Sequence, residues 1–264
     1  MENYSLIELK IEAGIALLAF NRPDKRNAMS DDMRVEFIHA LEHVAADKAI
    51  RALVLTGNGK GFCAGGDVAG MRRRMEAPHG EVGFNGWSRQ QRVHHTVRLL
   101  HTMPKPTIAA VNGAAAGLGA DTALCCDFVL ASEAASFSWS YIHRGLIPDG
   151  GGMYFLPRRV GLPAAKELVF TGRKVDAQEA RALGIADRLS APEALIDDAL
   201  AWAAELSQGS PTAIALGKSI MNQSFELPAD QVFAQGSQAQ GICYTSAEHR
   251  ESVLAFLDKT AGKD

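Results

Sequence analysis

The sequence contains few cysteines, no long apolar run and no surplus of positive charge. Its four cysteines form no C-x-x-C pair, and two of them, Cys125 and Cys126, are adjacent. This arrangement argues against a disulfide framework or a zinc site, and it fits a reducing compartment. No uninterrupted apolar stretch reaches the roughly 18 residues of a membrane-spanning helix. We therefore expect neither a metal site nor a membrane partner.

The charge balance and the first residues exclude further classes of protein. The formal net charge is -3, so the composition does not suggest nucleic-acid binding. The segment from Met1 to Tyr4 lacks a basic stretch followed by an apolar one, so we expect no targeting sequence and a cytoplasmic location. With 264 residues, 47% of them hydrophobic, the chain can form one large domain, alone or with a small appendage.

Short apolar runs alternate with helical patterns over most of the chain. A β-hairpin is predicted around Gly14, and Ser30 is predicted to cap a helix that ends near Ala45. The predicted buried strands are 52–56, 107–111 and 128–131, and the later helices are 86–102, 117–125, 150–160, 163–170, 176–183 and 192–207. This alternation is typical of an α/β architecture. Only helical patterns follow Ser210, so we expect an α/β core at 1–209 and a helical region at 210–264.

Two glycine-rich segments, 61–67 and 112–121, follow predicted strands and open predicted helices. Free N–H groups at such places point outward and carry partial positive charge. Glycine also lets the backbone approach a ligand closely. Two N–H groups that converge on one oxygen would form an oxyanion hole. The residues alone leave a second interpretation open, in which these glycines only permit tight turns.

Several motifs stand in a fixed order along the chain. The first part contains Asn21-Arg22-Pro23, Asn27-Ala28, Gly61-Phe62-Cys63-Ala64-Gly65-Gly66-Asp67 and the segment 105–113. The later part contains Cys126-Asp127, Gly145-Leu146-Ile147-Pro148, the segments 168–172 and 177–184, and Ala255-Phe256. Together they resemble the enoyl-CoA hydratase/isomerase (crotonase) family over nearly the whole chain. The resemblance implies a spiral of ββα units and a helical C-terminal trimerisation region, in a homotrimer or a dimer of trimers.

The resemblance also implies an acyl-CoA substrate and the groups that bind it. The backbone N–H groups of Gly66 and Leu118 would be the oxyanion donors. The CoA contacts would come from Lys25, Arg26, Ala28, Ala64, Asp67, Phe256 and Lys259. The acyl pocket could be lined by Met71, Trp139, Tyr141 and His143, with ordinary core packing as the alternative for each. CoA enters as part of the thioester, so no separate cofactor is expected.

The reaction depends on the carboxylates. Hydration needs two of them around one water, and the positions that the family's hydratases use hold Asp121 and Tyr141 here. Tyrosine, with an ordinary pKa of about 10, is a poor base at neutral pH. Asp149 stands between Pro148 and Gly150 in a setting that resembles the isomerase branches, including the dienoyl-CoA and epoxyphenylacetyl-CoA isomerases.

We therefore predict double-bond isomerisation of an enoyl-CoA or dienoyl-CoA, with Asp149 as the proton carrier and Asp121 as a second carboxylate. Three alternatives stay open: a hydratase or hydrolase that uses Asp121, an enzyme that uses Asp149 as a covalent nucleophile, and a non-catalytic CoA-binding protein. Each carboxylate also has a structural alternative. Asp149 could cap the following helix, and Asp121 could face solvent or a subunit contact.

Overall fold

The structure, a computed structural model, describes residues 4–261. The first three residues of the predicted α/β core, 1–3, and the last three of the predicted helical region, 262–264, lie outside the described residues. The strands are β1 Ile7–Glu12, β2 Ile15–Phe20, β3 Ala52–Gly57, β4 Gly61–Cys63, β5 Thr107–Val111, β6 Ala114–Ala116, β7 Phe128–Ser132, β8 Ser136–Ser138, β9 Val175–Asp176 and β10 Arg188–Ser190. The helices are α1 Asp31–Ala46, α2 Val68–Met75, α3 His79–His101, α4 Leu118–Leu124, α5 Gly152–Val160, α6 Leu162–Thr171, α7 Ala177–Leu183, α8 Leu195–Leu206, α9 Pro211–Met221, α10 Ala229–Tyr244 and α11 Ala247–Ala261.

The fold consists of two sheets, and each repeated ββα unit contributes one strand to each of them. The larger sheet has the order β1-β2-β3-β5-β7-β10, and the smaller one has the order β4-β6-β8-β9. The pairs β3/β4, β5/β6 and β7/β8 each place one strand in each sheet before a helix follows. Successive units pair in parallel in both sheets. This arrangement confirms the predicted α/β spiral.

The local signals at the start of the chain are also confirmed. β1 and β2 form an antiparallel hairpin whose turn residues, Ala13 and Gly14, have φ angles of 48° and 77°. Turns of this hand match the twist of the two strands. The Ser30 side chain accepts a hydrogen bond from the Met33 N–H and caps α1, as predicted.

The core lies on both faces of the larger sheet. Every residue of β3 and β5 is buried, as the continuous apolar runs of central parallel strands require. Phe37 and Leu41 of α1 pack in the cluster on one face, and Trp202 of α8 packs in the cluster on the other. The smaller sheet and α4 extend the first cluster.

Several short elements were not predicted. No strand was predicted within the glycine-rich segment 61–67, which contains β4, and β6 lies between Gly113 and the predicted helix. β8, β9, β10 and α2 were also missed, and α3 begins at His79 rather than at residue 86. Strands of two or three residues show no usable alternation, so their partners define them.

The C-terminal region is helical, as predicted, and α9 is fixed to the core. The Lys218 Nζ donates to the Asp127 carboxylate at 2.7 Å and to the Lys105 carbonyl at 3.0 Å. In contrast, none of the described side chains of α10 is buried, and Phe233 is 68% exposed. Within the described part of the chain, we find no helix long and apolar enough to cross a membrane.

Candidate active site

The two glycine-rich segments meet where α4 begins. A Cβ atom on Gly119 would lie 2.1 Å from the Cys63 carbonyl oxygen, and one on Gly65 would lie 2.7 Å from the Ala116 carbonyl oxygen. Only glycine permits such close backbone contacts. Gly65 also has a φ of 94°, which side chains disfavour. These glycines therefore fix the short distance between the end of β4 and the N-terminus of α4.

The backbone N–H groups of Gly66 and Leu118 lie at this junction. A Cβ on Gly65 would be 3.5 Å from the Leu118 nitrogen. The neighbours of Gly66 pair with Met29, whose N–H donates to Gly65 at 2.7 Å and whose carbonyl accepts from Asp67 at 3.1 Å. Neither the Gly66 N–H nor the Leu118 N–H donates to a backbone carbonyl within residues 4–261. Two such neighbouring donors are what the predicted oxyanion hole requires.

The segment predicted to contact CoA lies beside the first of these loops. The Ala64 N–H donates to the Arg26 carbonyl at 2.9 Å, so the two predicted binding segments are adjacent. The side chains of Lys25 and Arg26 are exposed and can reach an anionic ligand. Arg26 and Asn27 have φ angles of 49° and 57°, which bring this turn back toward the sheet.

The Asp67 carboxylate is hydrogen-bonded within the protein and connects this segment to α2. Its carboxylate pairs with Arg22 at 3.2 Å and accepts from the Ala69 N–H at 3.0 Å. Burial alone would raise the Asp67 pKa, but these hydrogen bonds lower it below its usual value. Arg22 also donates to the Ala28 carbonyl at 2.6 Å. The structure thus gives Asp67 a positioning contact, and its predicted contact with CoA stays a prediction.

Asp121 is 0% exposed on the inner face of α4. Its carboxylate accepts from the Trp139 Nε1–H at 3.0 Å and from the Tyr141 hydroxyl at 2.7 Å. Burial raises the Asp121 pKa to about 7, although these two hydrogen bonds oppose the rise, and the nearby Asp149 adds to it. The alternative in which Asp121 faces solvent or a subunit contact is therefore wrong.

The loop that contains the three glycines after Asp149 packs directly against the Asp121 side chain. A Cβ on Gly150 would lie 2.4 Å from Leu118 Cδ1, and one on Gly152 would lie 2.2 Å from Asp121 Oδ1. No other residue type leaves this space. The loop thereby places Asp149 close to both Leu118 and Asp121.

Asp149 is partly exposed, and its carbonyl contacts His94 Nε2 at 3.2 Å. Its carboxylate accepts no hydrogen bond from a side chain of residues 4–261. Burial raises the Asp149 pKa, while His94, Arg89 and Arg34 oppose the rise. The N-cap of α5 is Gly151, with no side-chain cap. The alternative in which Asp149 caps this helix is therefore wrong.

Two residues predicted to line the acyl pocket, Trp139 and Tyr141, donate hydrogen bonds to Asp121. Trp139 is 0% exposed, and its ring lies in the core with Nε1–H on Asp121, so its place in an acyl pocket stays a prediction. Tyr141 is partly buried, and burial together with Asp121 raises its pKa far above the ordinary value, so its hydroxyl stays protonated. Met71 lies beside Gly66, since a Cβ on Gly66 would be 2.9 Å from the Met71 Cε, and its place in an acyl pocket stays a prediction.

A narrow apolar cavity lies behind Leu118, between α1, α3 and α4. Its walls include Arg34, Phe37, Val93, Val97, Leu118 and Thr122. Arg34 was not among the predicted site residues, although a charged residue on the apolar face of α1, beside Phe37 and Leu41, is a signal in the sequence. Phe256 and Lys259 are exposed on α11, so their contacts with CoA stay predictions.

Comparison with known proteins agrees with this geometry. The sequence profile described as enoyl-CoA hydratase/isomerase matches residues 10–263. The chain belongs to the enoyl-CoA hydratase/isomerase family. It is therefore an enzyme of the crotonase type, and the non-catalytic alternative is set aside.

Relatives in this family carry names for different reactions. A crotonyl-CoA hydratase from Syntrophomonas wolfei is 35% identical over 257 residues, which cover 97% of this chain and 96% of the relative. A 1,2-epoxyphenylacetyl-CoA isomerase from Escherichia coli is 36% identical over 249 residues, 94% of each chain. The crystal structure of an enoyl-CoA hydratase from Mycobacterium smegmatis superposes with a TM-score of 0.89 at 31% identity and covers 97% of both chains. The family membership thus leaves hydration and isomerisation both open.

Proposed function

We propose that the protein is an acyl-CoA isomerase that moves a double bond in an enoyl-CoA or dienoyl-CoA, with Asp149 as the proton carrier. The observation that carries this proposal is the difference between the two carboxylates. Asp121 is fully buried and accepts hydrogen bonds from two side chains, whereas Asp149 is partly exposed and has no side-chain donor among residues 4–261. Asp149 is therefore the carboxylate that can contact an acyl chain.

In the proposed reaction, the thioester oxygen accepts hydrogen bonds from the Gly66 and Leu118 N–H groups. Asp149 removes a proton from the acyl chain, and the electron pair of that C–H bond delocalises into a dienolate whose negative charge lies on the thioester oxygen. The two N–H groups stabilise this charge because they are already oriented toward it. Asp149 then returns the proton to another carbon of the dienolate. No atom is gained or lost, and no cofactor besides the substrate's own CoA is needed.

Hydration is the second candidate, and the Asp121 pKa of about 7 favours it, since an acid with this pKa can give up a proton near neutral pH. Relatives named crotonyl-CoA and short-chain-enoyl-CoA hydratase support the same candidate. However, Tyr141 occupies the position of the hydratases' second carboxylate and donates to Asp121 instead of accepting from a water.

Incubation with enoyl-, dienoyl- and hydroxyacyl-CoA thioesters in deuterated water tests the proposal. We expect the ultraviolet absorbance to change as conjugation changes, with deuterium entering the acyl chain and no water added. A mass increase of one water would favour the hydratase, and release of free CoA would indicate hydrolysis. Failure of every thioester to react or to exchange would contradict acyl-CoA turnover altogether.

We also propose that the C-terminal region joins subunits into a trimer or a dimer of trimers. Its exposed apolar side chains, including Phe233 on α10 and Leu254 on α11, support this assembly because contiguous exposed apolar surface is typical of interfaces. We expect light scattering to give the mass of three or six chains. A monomer at micromolar concentration would contradict this part of the proposal.

A further inference from the structure

Arg34 is an unusual residue for the position that it occupies. It lies on the buried face of α1 and is 2% exposed, next in sequence to the fully buried Met33. A charged side chain at such a depth is costly unless its donors find acceptors. An arginine at this position is therefore expected to have a hydrogen-bond acceptor on the inner side of the helix.

The partner that the structure provides is on the outer side. The Arg34 Nη1 donates to Asp31 at 2.8 Å, and the Asp31 side chain is 53% exposed. Asp31 also accepts from Arg89 Nε at 3.0 Å and contacts Arg74 at 3.4 Å. One carboxylate is thus shared among three guanidinium groups. The Nη2 atom of Arg34 is buried and has no hydrogen-bond partner among the described residues.

Arg34 lines the cavity that begins at Leu118, whose N–H is a proposed oxyanion donor. The Arg34 charge also acts on Asp149 and on Cys63, the last residue of β4. Burial raises the pKa of both groups, and Arg34 is among the charges that oppose the rise. The guanidinium therefore lies near Leu118 and Asp149, the two residues that the proposed reaction uses.

We infer that Arg34 selects acyl-CoA thioesters whose acyl group ends in a carboxylate, which Arg34 Nη2 would bind inside the α1/α3/α4 cavity. This inference rests on the proposed acyl-CoA function. The cavity, at about 10 Å³, has room for only one water, so the side chains around it must move apart to admit an acyl chain, and a terminal methyl group would then leave Nη2 without an acceptor. A carboxylate would supply a charge-assisted hydrogen bond and compensate the crowded guanidinium groups around Asp31. Sites that bind a polar substrate group discriminate strongly against analogues that lack it.

The test compares unsaturated acyl-CoA pairs of equal chain length, one ending in a carboxylate and one in a methyl group, over a series of lengths. We expect wild-type kcat/KM to favour the carboxylate at one length by about 10²-fold or more, by analogy with sites that reject analogues lacking a polar group. In Arg34→Met, which keeps an unbranched apolar stem, this preference should disappear or reverse. Arg89→Met removes an equivalent charge from Asp31 and Asp149 but does not alter the cavity wall, so it should keep the preference.

The ratio of kcat/KM for the carboxylate-ended substrate to kcat/KM for the methyl-ended one distinguishes substrate selection by Arg34 from a general electrostatic or structural role. If Arg34 only adjusted Asp149 or stabilised α1, Arg34→Met would slow both substrates equally, and the inference would be overturned. Equal turnover of the pair by the wild type at every length would overturn it as well, without a folded variant being needed, and would leave the isomerase proposal standing. Absence of exchange with any thioester would instead reject the proposed function, and this inference with it.

Discussion

Replacement of Asp149 by asparagine is expected to remove most proton exchange between substrate and solvent while acyl-CoA still binds. Asparagine is nearly the size of aspartate but cannot accept a proton at neutral pH. The Asp149 carboxylate accepts no side-chain hydrogen bond within residues 4–261, so the change leaves no donor side chain without its acceptor. Loss of a positioned acid–base group costs about 10²–10⁴-fold in rate. Deuterium incorporation measured by mass spectrometry, together with equilibrium binding of acyl-CoA, checks both halves of this expectation.

Asp121→Asn is the matched control. Its amide oxygen can accept from Trp139, and its amide nitrogen can donate to the Tyr141 hydroxyl, so the buried network can persist. We expect a smaller loss of exchange than in Asp149→Asn. If Asp121→Asn lost exchange while Asp149→Asn kept it, Asp121 would be the base and our assignment would be wrong. If neither change mattered, both carboxylates would be structural.

The dependence of kcat/KM on pH distinguishes the same roles. Asp149 must be ionised to accept a proton, and its pKa is raised by burial, so an Asp149-dependent rate rises as pH passes through that raised pKa. A rate that needs Asp121 as a proton donor shows the opposite sign, since Asp121 loses its proton above a pKa of about 7. A wild-type profile that only falls with increasing pH would contradict the base role of Asp149.

The parts of the fold that were predicted correctly depend on neighbouring residues. Ser30 caps α1 through a bond three residues away, and the turn at Ala13-Gly14 lies between two directly paired strands. The buried runs of β3 and β5 are apolar except for Thr56 and Thr107, so their signal does not depend on knowing the partner strand. The close contact of the two glycine-rich segments could be expected only through the family resemblance.

The parts that could not be predicted depend on residues far apart in the chain. Trp139 and Asp121 are 18 positions apart and meet because β8 ends beside α4. Asp149 next to a helix resembles an N-cap in sequence, but Gly151 takes that position with a φ of 110°. Arg34 shares a helix face with Phe37 and Leu41, which the spacing alone can indicate, but only the packing of α3 and α4 around it shows that its Nη2 is buried.

Replacement of Gly66 by proline is expected to remove one of the two proposed oxyanion donors. Proline has no N–H, and the Gly66 N–H donates to no backbone carbonyl within residues 4–261, so no hydrogen bond of the fold is lost. The expected effect is therefore a weaker stabilisation of the negative charge that develops on the thioester oxygen. Removal of a single donor of this kind costs about 10²–10³-fold in turnover. Steady-state kinetics with the thioester that the wild type isomerises measures this loss of turnover, and thermal unfolding establishes that the variant is folded.

Gly66→Ala separates the lost N–H from the added side chain. Alanine keeps the N–H and, like proline, adds a Cβ that would lie 2.9 Å from the Met71 Cε. That atom is the end of a flexible side chain, which can move away at little cost. We therefore expect Gly66→Ala to keep most of its turnover while folded Gly66→Pro loses it. Equal losses in the two variants would assign the effect to steric crowding by the Cβ, and full activity of folded Gly66→Pro would show that the Gly66 N–H does not stabilise the transition state.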